Sequence, residues 1–259
     1  MKKFILTAIF ALATLSISAQ STFTNDENSV TLNVVGVDLT FTTGSRGNRM
    51  VETSPRNARY RTHISLIEIG FNAPTQTSYG AYPTDAPKWF DIWAAKSTQV
   101  TFNILNTGIR LTPTGVVGLA TAIGLSWNDY VFNEPTLVTK TDGLLTAAPI
   151  NSDKWIKSKI HTFAIRVPLL LEFGRHKSFF GSVGVYGDVV LGSRSKVKYG
   201  KKNKEIHRNM YAALPQAGVT ARFGYKRIYV FGNYSLTHLF TKNRGPQTNL
   251  VTLGFGIGL

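Results

Sequence analysis

The 259-residue chain contains no cysteine. That absence excludes a disulfide framework, a thiol nucleophile, a cysteine-based metal site and a lipid-modified cysteine behind a leader. Acidic residues are scarce, 14 against 29 lysines and arginines, and the resulting formal charge of +15 favours anionic partners. Beyond residue 15 no segment offers the ~18 uncharged apolar residues that a membrane-crossing helix needs. No HExxH and no histidine pair at helical offset occurs, so a metal site has no motif and no cofactor is implied.

The chain opens with Met1-Lys2-Lys3, the apolar run Phe4–Leu15, and Ser16-Ile17-Ser18-Ala19-Gln20. This is the order of a secretory leader, cut after Ala19. Loss of Lys2 and Lys3 takes the formal charge from +15 to +13. An exported chain seldom meets nucleic acid, so outer-membrane lipid and lipopolysaccharide phosphates are the expected anions. An exported protein without a spanning helix reaches hydrocarbon only as a closed barrel, because every backbone N–H and C=O must find a partner there.

What the sequence does have is alternation. Phe163, Ile165, Val167, Leu169, Leu171 and Phe173 interleave with Ala164, Arg166, Pro168, Leu170, Glu172 and Gly174. After the charged turn Arg175-His176-Lys177, Phe179, Val183, Val185, Val189 and Leu191 interleave with Ser182, Gly184, Tyr186, Asp188 and Gly192. A period of two gives each strand one apolar face and one polar face. Both strands exceed the ~9–11 residues that a tilted strand needs to cross a bilayer.

The same reading yields eight strands: Thr62–Asn72, Thr98–Leu111, Gly115–Trp127, Lys159–Gly174, Ser178–Ser193, Met210–Gly224, Arg227–Thr237 and Asn249–Leu259. Short links at 112–114, 175–177 and 225–226 alternate with long ones at 73–97, 128–157, 194–209 and 238–248. Bacterial barrels show that asymmetry, with short periplasmic turns and long extracellular loops. The expected fold is all-β: an eight-stranded, antiparallel, up-and-down transmembrane barrel over 61–259, behind a leader at 1–19 and a periplasmic extension at 20–60. Val30–Phe41 is also β-rich, but a ninth strand breaks the even count of single-chain barrels, so it falls outside as a hairpin or extra edge. A parity change between Ile104 and Ile109 predicts a bulge near Asn106–Gly108. Tight turns set Arg166 opposite Tyr186, Arg222 opposite Tyr229 and Ile109 opposite Val117.

The inward parity collects Glu68, Arg110, Arg166, Glu172, Asp188 and Arg222. Side chains fill an eight-stranded barrel, and buried charges there must pair, with Asp188 diagonal to Arg166 as the sharpest candidate. A structural salt-bridge network is the plain expectation, and a proton path or narrow pore the alternative. The segment Arg194–Arg208 holds Arg194, Lys196, Lys198, Lys201, Lys202, Lys204 and Arg208 against one acid, Glu205. It reads as a solvated extracellular loop. The sharper reading is a binder of lipopolysaccharide phosphates or an acidic partner, each cation contributing ~1 kcal/mol near an anionic surface. Nucleic acid is remote, since only Tyr199 could stack.

His161 has lipid-facing parity and could serve a lipid hydrolase, but the pattern sets no serine beside it. No enzyme activity is expected. Gly254-Phe255-Gly256-Ile257-Gly258 precedes no helix and consists of strand glycines, not a phosphate loop. Trp127, Tyr130, Phe132 and Tyr211 fall near outer strand ends, and Phe173, Phe179, Phe223 and Tyr225 near periplasmic ends, as two aromatic girdles would. Their plainer reading is core. The terminal alternation Leu253, Phe255, Ile257, Leu259 has the form of a signal for the barrel-insertion machinery.

Several motifs carry a resemblance. They are Lys157-Ser158-Lys159, Ile165-x-Val167-Pro168-Leu169-Leu170-Leu171-Glu172-Phe173, Gly118-x-x-Thr121-x-x-Gly124-Leu125-x-Trp127-Asn128-x-Tyr130-x-Phe132 and Tyr234-Ser235-Leu236-Thr237-x-Leu239-Phe240. Over Arg61–Leu259 the chain resembles the outer-membrane β-barrel domain family abundant in Bacteroidetes, the small PorT-like barrels. His63-x-x-x-x-Glu68-x-Gly70-x-Asn72 looks like that family's first barrel strand. The resemblance implies a small barrel in the outer membrane of a Gram-negative bacterium, with a structural or surface-interaction role. One subset is similar to an accessory barrel of the type IX secretion and gliding apparatus, which would add a secretion-apparatus protein as partner.

Overall fold

The computed structural model describes the backbone of 22–26, 29–34, 37–42 and 49–51, and residues 60–257 except 113, 153, 176, 177, 201, 202 and 227. The leader assigned to 1–19 lies outside the described residues, as do Lys201, Lys202 and the terminal Leu259. Chain contacts divide the molecule into two units, Met1–Arg59 and Tyr60–Leu259. No described helix is long and apolar enough to cross a membrane.

In the first unit β1 (Thr22–Asp26), β2 (Ser29–Val34), β3 (Val37–Thr42) and β4 (Arg49–Val51) form a four-stranded antiparallel meander. Val30–Phe41 is thus a hairpin, closing where Val34 faces Val37.

The second unit is built on β5 (Ile67–Ser78), β6 (Thr98–Arg110), β7 (Val117–Val131), β10 (Trp155–Gly174), β11 (Phe179–Tyr199), β13 (Gln216–Tyr225), β14 (Ile228–Ser235) and β15 (Gln247–Ile257). Each pairs antiparallel with its neighbour, and pairing of β10 with β11 closes the ring of eight. The barrel is up-and-down, with every edge strand paired. Between β7 and β10 the chain adds the hairpin β8 (Thr136–Thr141) and β9 (Leu144–Pro149). After β11 it adds β12 (Asn203–Arg208), which pairs back onto Arg194–Tyr199.

The alternation of the side chains is inverted relative to a water-soluble core. Outward residues are apolar and exposed: Val183, Val185, Val219, Val230, Leu253 and Ile257 leave 40–64% of their surface open. Inward positions are polar and buried, among them Glu68, Asn72, Gln99, Thr101, Ser126, Arg166, Glu172, Ser182, Asp188 and Thr252. At the long-loop end the interior changes character. Phe90, Ile92, Tyr130, Phe132, Val138, Leu145, Ile160, Met210, Leu239, Phe240 and Leu250 form an apolar cap drawn from loops and strand ends.

Several expectations are corrected. Thr62–Leu66 is not strand; the chain from Tyr60 to Leu66 folds into the short-turn end of the barrel. Residues 210–215 likewise precede β13, and Met210 is buried in the cap. Strands run further into the long links than expected, and the supposed basic loop is largely the β11–β12 ladder. The bulge lies earlier, between Asn103 and Leu105, where Ile104 and Leu105 both turn outward. Three hairpins close two residues away from the expected registers: Arg166 faces Asp188, Arg222 faces Phe231 and Ile109 faces Leu119. A slip of two keeps every side chain on its face, so alternation alone cannot separate these registers.

Candidate functional site

Two regions gather charged chemistry, the barrel interior and its outer wall at the long-loop end. In the interior, Arg166 donates from Nε and Nη2 to the two Asp188 carboxylate oxygens at 2.8 and 2.7 Å, and its guanidinium lies over the Tyr186 ring. Two parallel charge-assisted bonds suit the planar guanidinium fork. A second cluster joins Glu68, Arg222 and Tyr229. Arg222 Nη1 is 2.9 Å from Glu68 Oε1, to which the Tyr229 hydroxyl donates at 2.5 Å. Glu172 is fully buried, and its Oε2 accepts the His63 backbone N–H at 3.1 Å. The His63 ring stacks on Phe180 with centroids 4.0 Å apart.

Five of the six expected interior charges are therefore buried and placed against partners. Arg110 is the exception. It sits half-exposed at the short-turn end beside Gly115, and its buried Nε has no hydrogen-bond partner among the described residues.

The chain 60–66 holds these groups down. Tyr60 donates its N–H to Gly108 and its hydroxyl to Gly174, Ser65 donates its N–H to the Tyr229 hydroxyl, and Asn103 donates to the Ser65 carbonyl. These partners lie on β6, β10 and β14, on different sides of the barrel. Gly118 makes room for the plug: a Cβ there would stand 2.3 Å from Tyr60 Cγ. Polar and apolar residues alternate over 63–66 too, so the pattern there is that of a strand. The distinguishing signal is that Tyr60 and Ile64 are apolar on the parity opposite to that of Ile67 and Ile69.

On the outer wall, cross-strand pairing lays two rows side by side. Trp127, Phe163 and Gly192 are directly paired across β7, β10 and β11. The next outward row is Asp129, His161, Arg194 and Arg208, running through β12. Asp129 binds the Lys159 ammonium and His161 Nδ1, the latter at 2.7 Å. Burial raises the Asp129 carboxyl and the two bonds more than offset it, holding it at about 2. Burial, with Lys159, Lys204 and Arg194 as neighbours, pushes the Lys196 ammonium below its ordinary value.

Among the described residues His161 is bonded to Asp129 and to no serine. Ser193 pairs with Thr162, on the opposite face parity, and its hydroxyl accepts the Met210 N–H at 2.8 Å. Among the described residues no group of three His, Asp or Glu side chains is placed to hold a metal ion.

The chain matches no protein-family model and no curated protein.

The expected aromatic girdles are only half present. Phe173, Phe179, Phe223 and Tyr225 are all exposed at the short-turn end, and the Phe179 ring lies 4.7 Å from Tyr225. Of the other four, Trp127 faces outward, whereas Tyr130 and Phe132 are buried in the apolar cap and Tyr211 packs against it. Those three are core residues.

Proposed function

We propose that this chain is a small, non-enzymatic outer-membrane barrel, exported behind a cleaved leader, with a structural or surface-interaction role. One observation carries the reading: the closed barrel is apolar and exposed outside, polar and buried inside. Water does not sustain such a surface. Single exposed apolar residues are ordinary, but a contiguous belt spread over all eight strands needs an apolar environment. A tilted barrel whose outward band runs from Phe163 to Phe173 on β10 matches the length that a spanning strand requires. The resemblance of Lys157–Phe173 and its companion motifs to Bacteroidetes barrels fits the same assignment.

The lumen reads as closed. Ion pairs, the 60–66 plug and the apolar cap occupy it in turn. This favours a mechanical or recognition role over a passive pore.

The test is heat modifiability with localisation. Purified, folded protein should migrate differently before and after boiling in detergent gels, and should fractionate with outer membrane. Identical migration, or recovery as a soluble periplasmic protein, would overturn the reading.

A further inference from the structure

On the outer wall a cavity of about 400 Å³ opens between Trp127, Phe163 and Leu191 on one side and His161, Arg194 and Arg208 on the other. We propose that this cavity binds the phosphate headgroup of a phosphorylated membrane lipid, whose acyl chain lies down the Trp127–Phe163 face; this rests on the membrane reading above.

Three observations point there. First, Arg194 and Arg208 are directly opposed across β11 and β12. Like charges facing each other on neighbouring strands destabilise a ladder unless an anion lies between them. Neither guanidinium has an ion pair or hydrogen bond among the described residues, so the pair is open to one. Paired guanidinium forks match phosphate oxygens bidentately, which ammonium groups do not.

Second, the only acid in the row, Asp129, is already engaged by Lys159 and His161. It therefore does not neutralise the arginines, and it holds His161 in place through Nδ1.

Third, the cavity sits where outward side chains change from apolar to cationic. The Trp127 and Phe163 rings are 5.1 Å apart and tilted, forming an apolar floor directly beside the charged row. Leu191 is the extra residue of a bulge, unpaired between Val190 and Gly192, and 56% exposed. The bulge turns one more apolar side chain to the wall at this level. Free phosphate would use the arginines and gain nothing from that floor; an amphiphile uses both.

The experiment titrates full-length barrel in neutral detergent with diphosphoryl lipid A, its dephosphorylated counterpart, or inorganic phosphate, and reads bound lipid by native mass spectrometry. Arg194→Gln/Arg208→Gln should weaken lipid A binding by about tenfold or more. Lys198→Gln/Lys204→Gln, which removes the same charge from the same ladder away from the cavity, should change it less than about twofold. The arginines are exposed, so folding is retained and is verified by heat modifiability of each variant.

Equal weakening by both double variants would replace the site with diffuse attraction. Equal binding of the dephosphorylated lipid would overturn phosphate recognition. Displacement of lipid A by equimolar phosphate would make this a free-anion site. A heat-modifiable barrel with any of these results fails this inference alone; a chain without heat modifiability fails the membrane reading as well.

Discussion

Arg166 and Asp188 meet directly across the β10–β11 hairpin, two parallel hydrogen bonds joining side chains that are each at least nine-tenths buried. Removing one partner leaves an uncompensated buried charge, which costs more than the pair itself contributes. Asp188→Ala should destabilise the barrel by about 3–5 kcal/mol in urea titrations of protein folded into detergent. Arg166→Met/Asp188→Leu should recover most of that loss, because it removes both charges and fills similar volume. A double variant as unstable as the single one would show that the pair itself, and not the orphaned arginine, carries the effect.

Tyr60 and Gly118 make a second separable contact. Any side chain at 118 meets the Tyr60 ring, so Gly118→Val should cost about 1–3 kcal/mol as an overpacked site. Gly118→Val/Tyr60→Ala should relieve the clash. In planar bilayers the wild type should show no stable conductance, and the single variant, with the 60–66 plug displaced, should show small discrete steps. Stable conductance from the wild type would sink the closed-lumen reading.

Face assignment was legible in the sequence because strand period and barrel closure both act on parity. Arg166, Glu172, Asp188, Glu68 and Arg222 all point inward as their positions require. Register was not legible, since a slip of two leaves each of those residues inside while changing its partner. That is why Asp188 proves to be opposite Arg166 and not diagonal to it. The plug was hidden for a related reason. His63 and Ser65 alternate with Ile64 and Leu66 as a strand would, and only tertiary contacts with Glu172 and Tyr229 draw them into the lumen. Tyr130 and Phe132 misled in the other direction, because an aromatic at a strand end has the same local pattern whether it faces lipid or a cap of folded loops.

Acid should act on the outer-wall cluster with a definite sign. The Asp129 carboxyl falls from 3.8 to about 2 on folding, against the cost of burial, because His161 and Lys159 bind the ionised form. A group depressed in the folded state contributes stability above its unfolded value and loses it as pH falls through the folded one. The melting temperature of the wild type minus that of Asp129→Asn should therefore be constant above about pH 5 and shrink toward pH 2. A difference that widens on acidification has the wrong sign and would place Asp129 outside this contact.

The membrane reading makes a prediction graded by position along a strand. Val185 lies near the middle of the outward apolar band, and Phe179 at its short-turn edge, both exposed. In a bilayer, arginine costs about 2–4 kcal/mol at the midplane and ~0–1 kcal/mol near the interface. Val185→Arg should thus impair spontaneous insertion into lipid vesicles far more than Phe179→Arg, as read by the heat-shifted band and protease protection. A partner protein covering the belt would give a different profile, because its cost would follow the footprint of the contact and not the distance from either rim. Arginines at Ile123 and Leu253, on β7 and β15, extend the comparison around the barrel. Costs that track depth on all three strands would identify lipid as the solvent of this surface, whereas costs confined to one side would point to a protein interface.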